Sequence, residues 1–304
     1  MSTVYLFGAY PIDVLSFFAT VALVFGLLVG SFLNVCIARM PEDRSIVHPP
    51  SHCPSCGGGI KPYDNIPVVS WLLLRGRCRS CGNPISSLYP TIELLTGLIA
   101  LLLFWRLVPD HTHIDLAHGA AFFFYFSIAA MLVVSSYIDI QHQIIPDELS
   151  IYAVPYAVGG IALLEWLGYP FLLPFPEGTG ATYWQLSVLG AFFGGGLLFS
   201  VGMLWWVFRR YEGMGMGDVK LLALIGAVVG PFPGLVFVII LSSVSAVIVG
   251  APLSWVSGRG WRYALPYGPF LALGTLLWML HGPEMVEVYF RFLQRTYPAG
   301  NIAF

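Results

Sequence analysis

Two aspartates at the edges of long apolar runs could together perform acid–base chemistry. Asp218 lies in the segment 213–220 (Gly-Met-Gly-Met-Gly-Asp-Val-Lys), and Asp139 directly follows the apolar run 117–138. Placing a carboxylate at the edge of lipid costs free energy, so its presence there suggests a function. Two carboxylates held close together share one proton, so one can act as a base toward water and the other as an acid toward a carbonyl group. These are the requirements of an aspartic peptidase.

The residues around Asp218 favour a tight backbone turn beside a charged group. Gly215 and Gly217 allow the backbone to turn and to approach another chain closely, because neither has a Cβ atom. Lys220 adds a positive charge two residues after Asp218. Simpler interpretations stay open at this point: Asp218 could be the N-cap of a helix after a glycine-rich turn, and Asp139 could be a solvated carboxylate at the membrane interface.

The predicted helix ends suggest different roles for the two aspartates. Asp218 is expected at the start of a helix, where the dipole favours a carboxylate, and Asp139 at the end of one, where it does not. Each contribution is about 0.3–1 kcal/mol when exposed and up to about 2 kcal/mol when partly buried. We therefore expect Asp218 to be the ionised base and Asp139 to hold the shared proton as the acid.

Four of the five cysteines form two C-x2-C pairs that could bind a metal. Cys53 and Cys56 are separated from Cys78 and Cys81 by 21 residues, and a glycine follows each pair. Two such hairpins can supply four thiolates to a tetrahedral Zn²⁺, and a site closed by four protein ligands is structural. The alternative is a pair of disulfides or a redox role, which a reducing cytoplasm disfavours.

Glu93 is a further acid near the start of an apolar run, 88–108. Two interpretations fit it equally: the carboxylate reaches out to the membrane interface, or it lines a pocket on the cytoplasmic side. The second would make Glu93 a candidate residue of a second active site.

The composition indicates the scaffold that must position these residues. The chain has 304 residues, of which 57% are hydrophobic and 10% charged, whereas a soluble domain has about 25% charged residues. Apolar runs of about 20 residues predict membrane helices and exclude a barrel. We therefore predict an all-α polytopic membrane protein with about eight transmembrane helices and a small cytoplasmic zinc-binding insert. The eight spans are expected at 14–38, 88–108, 117–138, 149–168, 184–208, 218–230, 234–252 and 264–281.

The distribution of Lys and Arg predicts the orientation in the membrane. One set of alternate connections holds eleven of the 14 basic residues, and the opposite side holds only Arg106, Arg291 and Arg295. Basic loops stay in the cytoplasm. This places 39–87 and both aspartates at the cytoplasmic face, at one depth, and both termini outside. The expected domains are a first helix (1–38), a four-cysteine zinc domain (39–87), helices two to eight with the peptidase site (88–282) and a tail (283–304).

Taken together, these motifs resemble those of the type IV prepilin peptidases, membrane aspartic peptidases of the GxGD class. The resemblance covers nearly the whole chain. The order of the motifs along this topology makes it specific, although each motif alone is weak. The matching segments are 30–35, the two cysteine pairs, 63–67, 74–79, Ile85-Ser86 with Tyr89-Pro90 and Glu93, Asp139 with 145–147, and 215–220.

The resemblance implies a bifunctional enzyme with Asp139 and Asp218 as the catalytic pair. Such enzymes cut the basic leader of prepilins and pseudopilins after a glycine, on the cytoplasmic face of the inner membrane. They then methylate the new N-terminal amine with S-adenosylmethionine. The four cysteines belong to a domain that cleavage-only relatives lack, so their presence favours methyl transfer. The implied partners are the pilin precursors and membrane lipid, with no nucleic acid.

Three alternatives compete with this interpretation. The first is a peptidase without methyltransferase activity, and no glycine-rich loop of a Rossmann unit marks a methyl-donor site. The second is a proton-coupled transporter, which is disfavoured because the acids lie at the membrane edge and no inverted repeat is visible. The third is a non-catalytic assembly factor that docks through its zinc domain. In a cleavage assay, loss of either aspartate would abolish the activity of a peptidase and would not affect the function of the transporter or the assembly factor.

Overall fold

The computed structural model describes residues 3–6, 10–108, 115–169, 180–210, 215–256 and 265–296. The chain divides into two units, Met1–Leu149 and Ser150–Phe304, and each is described by itself.

The first unit contains three long helices and the cysteine-rich insert. The helices are α1 (Val14–Arg39), the short α2 (Val69–Leu73), α3 (Leu88–Leu107) and α4 (Leu116–His142). A short antiparallel hairpin of β1 (Thr3–Leu6) and β2 (Tyr10–Asp13) precedes α1, with Thr3 opposite Asp13. The apolar pattern did not predict this hairpin. The predicted all-α fold of the membrane part is confirmed, and the hairpin is an addition to it.

In its described residues, the second unit consists of helices joined by turns and short irregular segments. Its helices are α5 (Val154–Trp166), α6 (Tyr183–Arg209), α7 (Met216–Val229), α8 (Leu235–Val256) and α9 (Gly268–Thr296). A proline-containing turn at Gly230–Gly234 connects α7 to α8.

Each predicted span has a helix, but eight membrane crossings are not confirmed. Within the described ranges, six helical segments are long and apolar enough to cross a membrane. One segment, Met216–Val256, contains both α7 and α8, so two predicted spans merge into one candidate. Helix α9 is not among the six, and its second half carries Glu284, Glu287 and Arg291.

Small residues allow α1 to pack closely on α3. A Cβ atom at Gly26 would lie 2.5 Å from the Cβ of Ala100, and one at Gly30 would lie 2.7 Å from the Cα of Glu93. The Asn34 side chain donates hydrogen bonds to the carbonyl oxygens of Gly30 and Tyr89, each at 3.2 Å. Small residues and an interhelical amide are typical of helix contacts in lipid, and here they hold the start of α3 against α1.

In the second unit, glycines bring α6 and α7 into backbone contact. A Cβ atom at Gly190 would lie 2.0 Å from the carbonyl oxygen of Gly226, and one at Gly226 would lie 2.1 Å from that of Gly190. The Ser187 hydroxyl donates to the Ala227 carbonyl across the same contact at 2.6 Å. This packing fixes α7, the helix that begins with the predicted catalytic loop.

Candidate active site and four-cysteine cluster

Asp139 lies in the last turn of α4, as predicted, but it is buried. Its side chain is only 6% exposed, so the alternative of a solvated interfacial carboxylate is wrong. The helix ends when Gln143 adopts φ 55° and donates its N–H to the Asp139 carbonyl oxygen at 2.9 Å. One turn earlier, Ser135 is fully buried, and its hydroxyl has no hydrogen-bond partner among the described residues. Sequence reasoning did not single out Ser135.

Asp218 lies in the first turn of α7, where the helix dipole favours a carboxylate. Gly215 is the N-cap, and the Asp218 N–H donates to the Gly215 carbonyl at 3.2 Å. The alternative in which Asp218 is the N-cap is therefore wrong. Gly217, Asp218 and Lys220 are all half-buried. Gly213 and Met214, the first residues of the predicted glycine loop, lie outside the described residues.

The structure places the two aspartates in different units. Asp139 belongs to Met1–Leu149 and Asp218 to Ser150–Phe304. The helix positions expected for both are present. Their pairing at one site remains a prediction.

The four predicted ligand cysteines lie together in the insert. Their sulfur atoms are all within 4.8 Å of one another, and the Sγ atoms of Cys53 and Cys81 are 3.9 Å apart. A disulfide would bring two sulfurs to about 2.0 Å, whereas Zn–S bonds of about 2.3 Å in a tetrahedron separate sulfurs by about 3.8 Å. All four are free thiols here, so the donor set and spacing fit a tetrahedral four-thiolate site and not two disulfides.

Two similar backbone turns bring these thiols together. The Gly57 N–H donates to the Cys53 carbonyl and the Gly82 N–H to the Cys78 carbonyl, both at 2.9 Å. The two glycines have φ of 69° and 73°, which only glycine adopts without strain. Backbone N–H groups of Cys56 and Ser55 lower the pKa of the Cys53 thiol to about 6. This turn therefore favours a thiolate, the form that binds metal.

An ion pair connects the second cysteine turn to the segment before α2. The Arg79 guanidinium, between Cys78 and Cys81, donates from Nε and Nη2 to both oxygens of Asp64 at 2.6–3.0 Å. It also lies 5.5 Å from the centre of the Tyr63 ring. The hydrogen bonds from Arg79 lower the pKa of Asp64. This bidentate contact fixes the segment that runs toward Asn65.

Glu93 is buried inside the first unit, and its carboxylate contacts the insert. It is 7% exposed, and its Oε2 accepts the N–H of Val68 at 2.7 Å. It also interacts with the Ser31 hydroxyl on α1. The alternative of a carboxylate reaching out to the interface is therefore wrong. Val68 has φ 61° and ψ −50°, a strained conformation for a β-branched residue, and the Glu93 carboxylate holds it in place.

A cavity of about 290 Å³ lies between the second half of α1 and the insert, and we call it the insert cavity. Its polar lining side chains are Ser31, Arg39, Ser51 and Asn65, and its apolar ones include Leu28, Phe32, Val35 and Ile46. Glu93 does not line it, but the partner of Glu93, Ser31, does. The predicted pocket residue is therefore behind the cavity wall.

Comparisons with known proteins cover both regions. A family model described as the bacterial peptidase A24 N-terminal domain matches residues 24–107, and one described as the type IV leader peptidase family matches 126–251. The first range contains Glu93 and the four cysteines, and the second contains both aspartates. No solved structure matches the chain.

Several similar proteins share one name, prepilin leader peptidase/N-methyltransferase. One from Xanthomonas campestris pv. campestris is 33% identical over 293 residues, covering 88% of this chain and 92% of the relative. One from Pseudomonas aeruginosa is 33% identical and covers 90% and 94%. One from Myxococcus xanthus is 38% identical over 246 residues, covering 80% and 65%.

Proposed function

The chain belongs to the type IV leader peptidase family, and from this premise we propose that it cleaves the leaders of type IV prepilins and pseudopilins and then methylates the new N-terminal amine. It is an integral bacterial membrane enzyme. The observation that carries the proposal is the similarity over 88–90% of the chain to proteins named for both activities. The membrane helices agree with a substrate that is processed at the bilayer.

We propose that Asp139 and Asp218 perform the cleavage as a pair. The ionised carboxylate takes a proton from a water molecule while the water oxygen attacks the scissile carbonyl carbon. The protonated carboxyl group donates its proton to the carbonyl oxygen. When the C–N bond then breaks, the proton taken from water passes to the leaving amine. The burial of Asp139 supports this role. Burying a carboxyl group costs free energy of folding, so a buried carboxyl group at this position suggests a function.

Gly215, Gly217 and Lys220 are proposed to support the catalytic loop. Gly215 occupies the N-cap position without a Cβ atom, and such an atom would lie 3.7 Å from Oδ2 of Asp218. The half-buried Lys220 brings a positive charge to the same turn. The charge of Lys220 and the position of Asp218 in the first turn of α7 favour the ionised form of Asp218, which fits the proposed role of this residue as the base.

We propose that residues 39–87 form a zinc domain with Cys53, Cys56, Cys78 and Cys81 as ligands. Four thiolates complete the coordination of Zn²⁺, so the metal would stabilise the fold and leave no position for a substrate. The positions of the four sulfur atoms, all within 4.8 Å of one another, support metal binding. The metal's binding energy would then be folding energy of this domain.

For the second reaction we propose S-adenosylmethionine as the methyl donor. When bound, it would supply an electrophilic methyl group to the neutral N-terminal amine: the S–CH3 bond breaks, the sulfonium leaves as a neutral thioether, and the methylated amine loses a proton. The proteins named N-methyltransferase support this step. We further propose that the insert and the cleavage site face the cytoplasm and that both termini lie outside, because eleven of 14 Lys and Arg fall in one set of loops.

The proposal is tested with a prepilin-like peptide and the purified protein in detergent. We expect the wild type to release the leader and to transfer a labelled methyl group. Asp139→Asn and Asp218→Asn should each abolish cleavage, since an amide of equal size cannot exchange the proton. Asp147→Asn, in the turn after α4, is the matched control and should retain cleavage.

Two results would contradict the proposal. Substantial cleavage by Asp139→Asn or Asp218→Asn would remove that residue from the catalytic pair. Cleavage by the wild type without any methyl transfer would contradict the proposed methyltransferase activity and would support the alternative of a peptidase that only cleaves.

A further inference from the structure

The insert cavity is built where the cysteine-rich insert meets α1. Ser31, Phe32, Val35 and Arg39 lie on one face of α1 at helical spacing and form one wall. The segment 46–51, just before Cys53, together with Asn65 forms the other wall. All of these residues belong to the first unit. The cavity therefore exists only when the insert is folded against α1.

Hydrogen bonds fix the wall formed by the insert. Arg39 donates from Nη1 to the Ser45 carbonyl at 2.9 Å and from Nη2 to the Pro49 carbonyl at 2.7 Å. The Ser45 hydroxyl in turn accepts the N–H groups of Val47 and His48 at 3.3 and 3.2 Å. Because a side chain of α1 holds this loop open above the helix, the cavity is preformed.

The lining offers different chemistry to different parts of a ligand. Arg39 uses two of the five N–H donors of a guanidinium in these loop contacts, so the others can meet a carboxylate. Ser31, Ser51 and Asn65 can bind hydroxyl and amino groups, and Phe32, which is 48% exposed, offers a ring face to a flat heterocycle. The insert cavity has a volume of about 290 Å³, close to the lower limit of about 300 Å³ for small-molecule sites.

We propose that the insert cavity binds the methyl donor, an adenine nucleoside that carries a sulfonium and an amino-acid group. The proposal rests on the proposed function and names the site of its second reaction. Arg39 binds the carboxylate, Phe32 packs on the adenine, and Ser51 and Asn65 bind ribose or the ammonium group. Glu93, behind Ser31, is a positioning residue, because it accepts the Val68 N–H and interacts with the Ser31 hydroxyl.

A second cavity on α1 has the wrong chemistry for such a ligand. It measures about 330 Å³ and lies between α1 and α4. Its lining is apolar apart from Ser127 and Cys36, with Phe25, Val29 and Phe126 among its residues. A charged nucleoside would lose its hydration there without gaining hydrogen bonds. A substitution on α1 that fills the apolar cavity is therefore a matched control for one that fills the insert cavity.

The test is binding of labelled S-adenosylmethionine to the purified full chain by equilibrium dialysis. Val35→Trp fills the insert cavity, and Val29→Trp fills the apolar one; both valines are half-buried on α1. We expect Val35→Trp to weaken donor binding at least about tenfold and Val29→Trp to change it less than about twofold. Metal content and thermal stability show whether each variant is folded. Equal binding by Val35→Trp and wild type would overturn the assignment.

A second measurement needs no variant. Ultraviolet crosslinking of the labelled donor to the wild type should mark peptides from 28–51 or the peptide containing Asn65. Label confined to other peptides would overturn the assignment while leaving methyl transfer intact. A wild type that cleaves prepilin but binds no donor would instead contradict the proposed methyltransferase function, and with it this site.

Discussion

The carboxyl group of Asp139 is buried at the end of a helix whose dipole disfavours a negative charge there. Asp218 has the opposite environment, in the first turn of α7. We therefore predict that Asp139 holds the proton in the resting enzyme. Infrared difference spectra should show a protonated carboxyl band that Asp139→Asn removes and Asp147→Asn retains. A band lost in Asp218→Asn and retained in Asp139→Asn would reverse the two roles.

At the same scale, Glu93 can be tested through its hydrogen bond to Val68. Glu93→Leu removes the acceptor of the Val68 N–H, whereas Glu93→Gln keeps an oxygen there. Leaving a buried N–H without a partner costs about 1–3 kcal/mol. We expect Glu93→Leu to weaken methyl-donor binding and methyl transfer while cleavage continues. Glu93→Gln should rescue most of the loss.

Two results would contradict this role of Glu93. Equal loss in both variants would show that the charge matters and the hydrogen bond does not. Unchanged donor binding and methyl transfer in Glu93→Leu would show that the contact with Val68 is not needed for the second reaction.

At the scale of elements, we predict that the two cysteine turns depend on each other through the proposed zinc ion. Cys53→Ser should release about one zinc per chain and destabilise residues 39–87, because zinc binding is coupled to folding. Metal analysis and limited proteolysis of the reduced protein measure both effects. Cys36→Ser, a buried cysteine on α1 outside the cluster, is the matched control and should keep its zinc. A metal-free wild type would contradict the zinc site.

The close contact between α6 and α7 predicts that adding a single methyl group at Gly226 destabilises the protein. Gly226→Ala places a Cβ atom 2.1 Å from the Gly190 carbonyl oxygen, whereas Gly196, on α6, has open space at that position. Overpacking typically costs about 1–3 kcal/mol. We expect Gly226→Ala to lower thermal stability in detergent and to slow cleavage, since α7 carries Asp218. Gly196→Ala should do neither, and equal stability of the two variants would contradict the close packing.

At the scale of the whole molecule, the predicted orientation can be measured by thiol labelling. In intact spheroplasts, a membrane-impermeant maleimide should label Ala181→Cys, just before α6, because that connection is expected outside. The cysteines of the insert should react only after permeabilisation and metal chelation. Labelling of the insert in sealed spheroplasts would reverse the orientation.

Hydropathy predicted the helices well and their ends less well. The run 88–108 became α3 (Leu88–Leu107), because an apolar stretch bounded by polar residues defines a span. The run 149–168 became a shorter α5 (Val154–Trp166), because short 3-10 turns at Asp147–Leu149 and Ile151–Ala153 precede it. Hydropathy also could not separate a helix from a membrane crossing, so the count of eight spans is unconfirmed.

The site was predictable where its signal is local in sequence. The cysteine turns follow from C-x2-C with a glycine, and the structure contains both turns. The contact between Glu93 and Val68 was not predictable, because it joins a side chain to a backbone N–H 25 residues away, and such a bond does not depend on the type of the second residue. The burial of Asp139 likewise depends on packing, which a hydropathy run does not show.

The close contact between α1 and α3 also bears on how the protein matures. The insert is a long connection within a helical hairpin, and the hairpin closes through Gly26, Gly30 and Gly97, none of which belongs to the insert. The two helices can therefore associate in the bilayer during synthesis, before the four cysteines meet. Loading of the proposed zinc ion would then be a late step of biogenesis. A cell starved of zinc would accumulate an inserted precursor, ready to be completed when the metal returns.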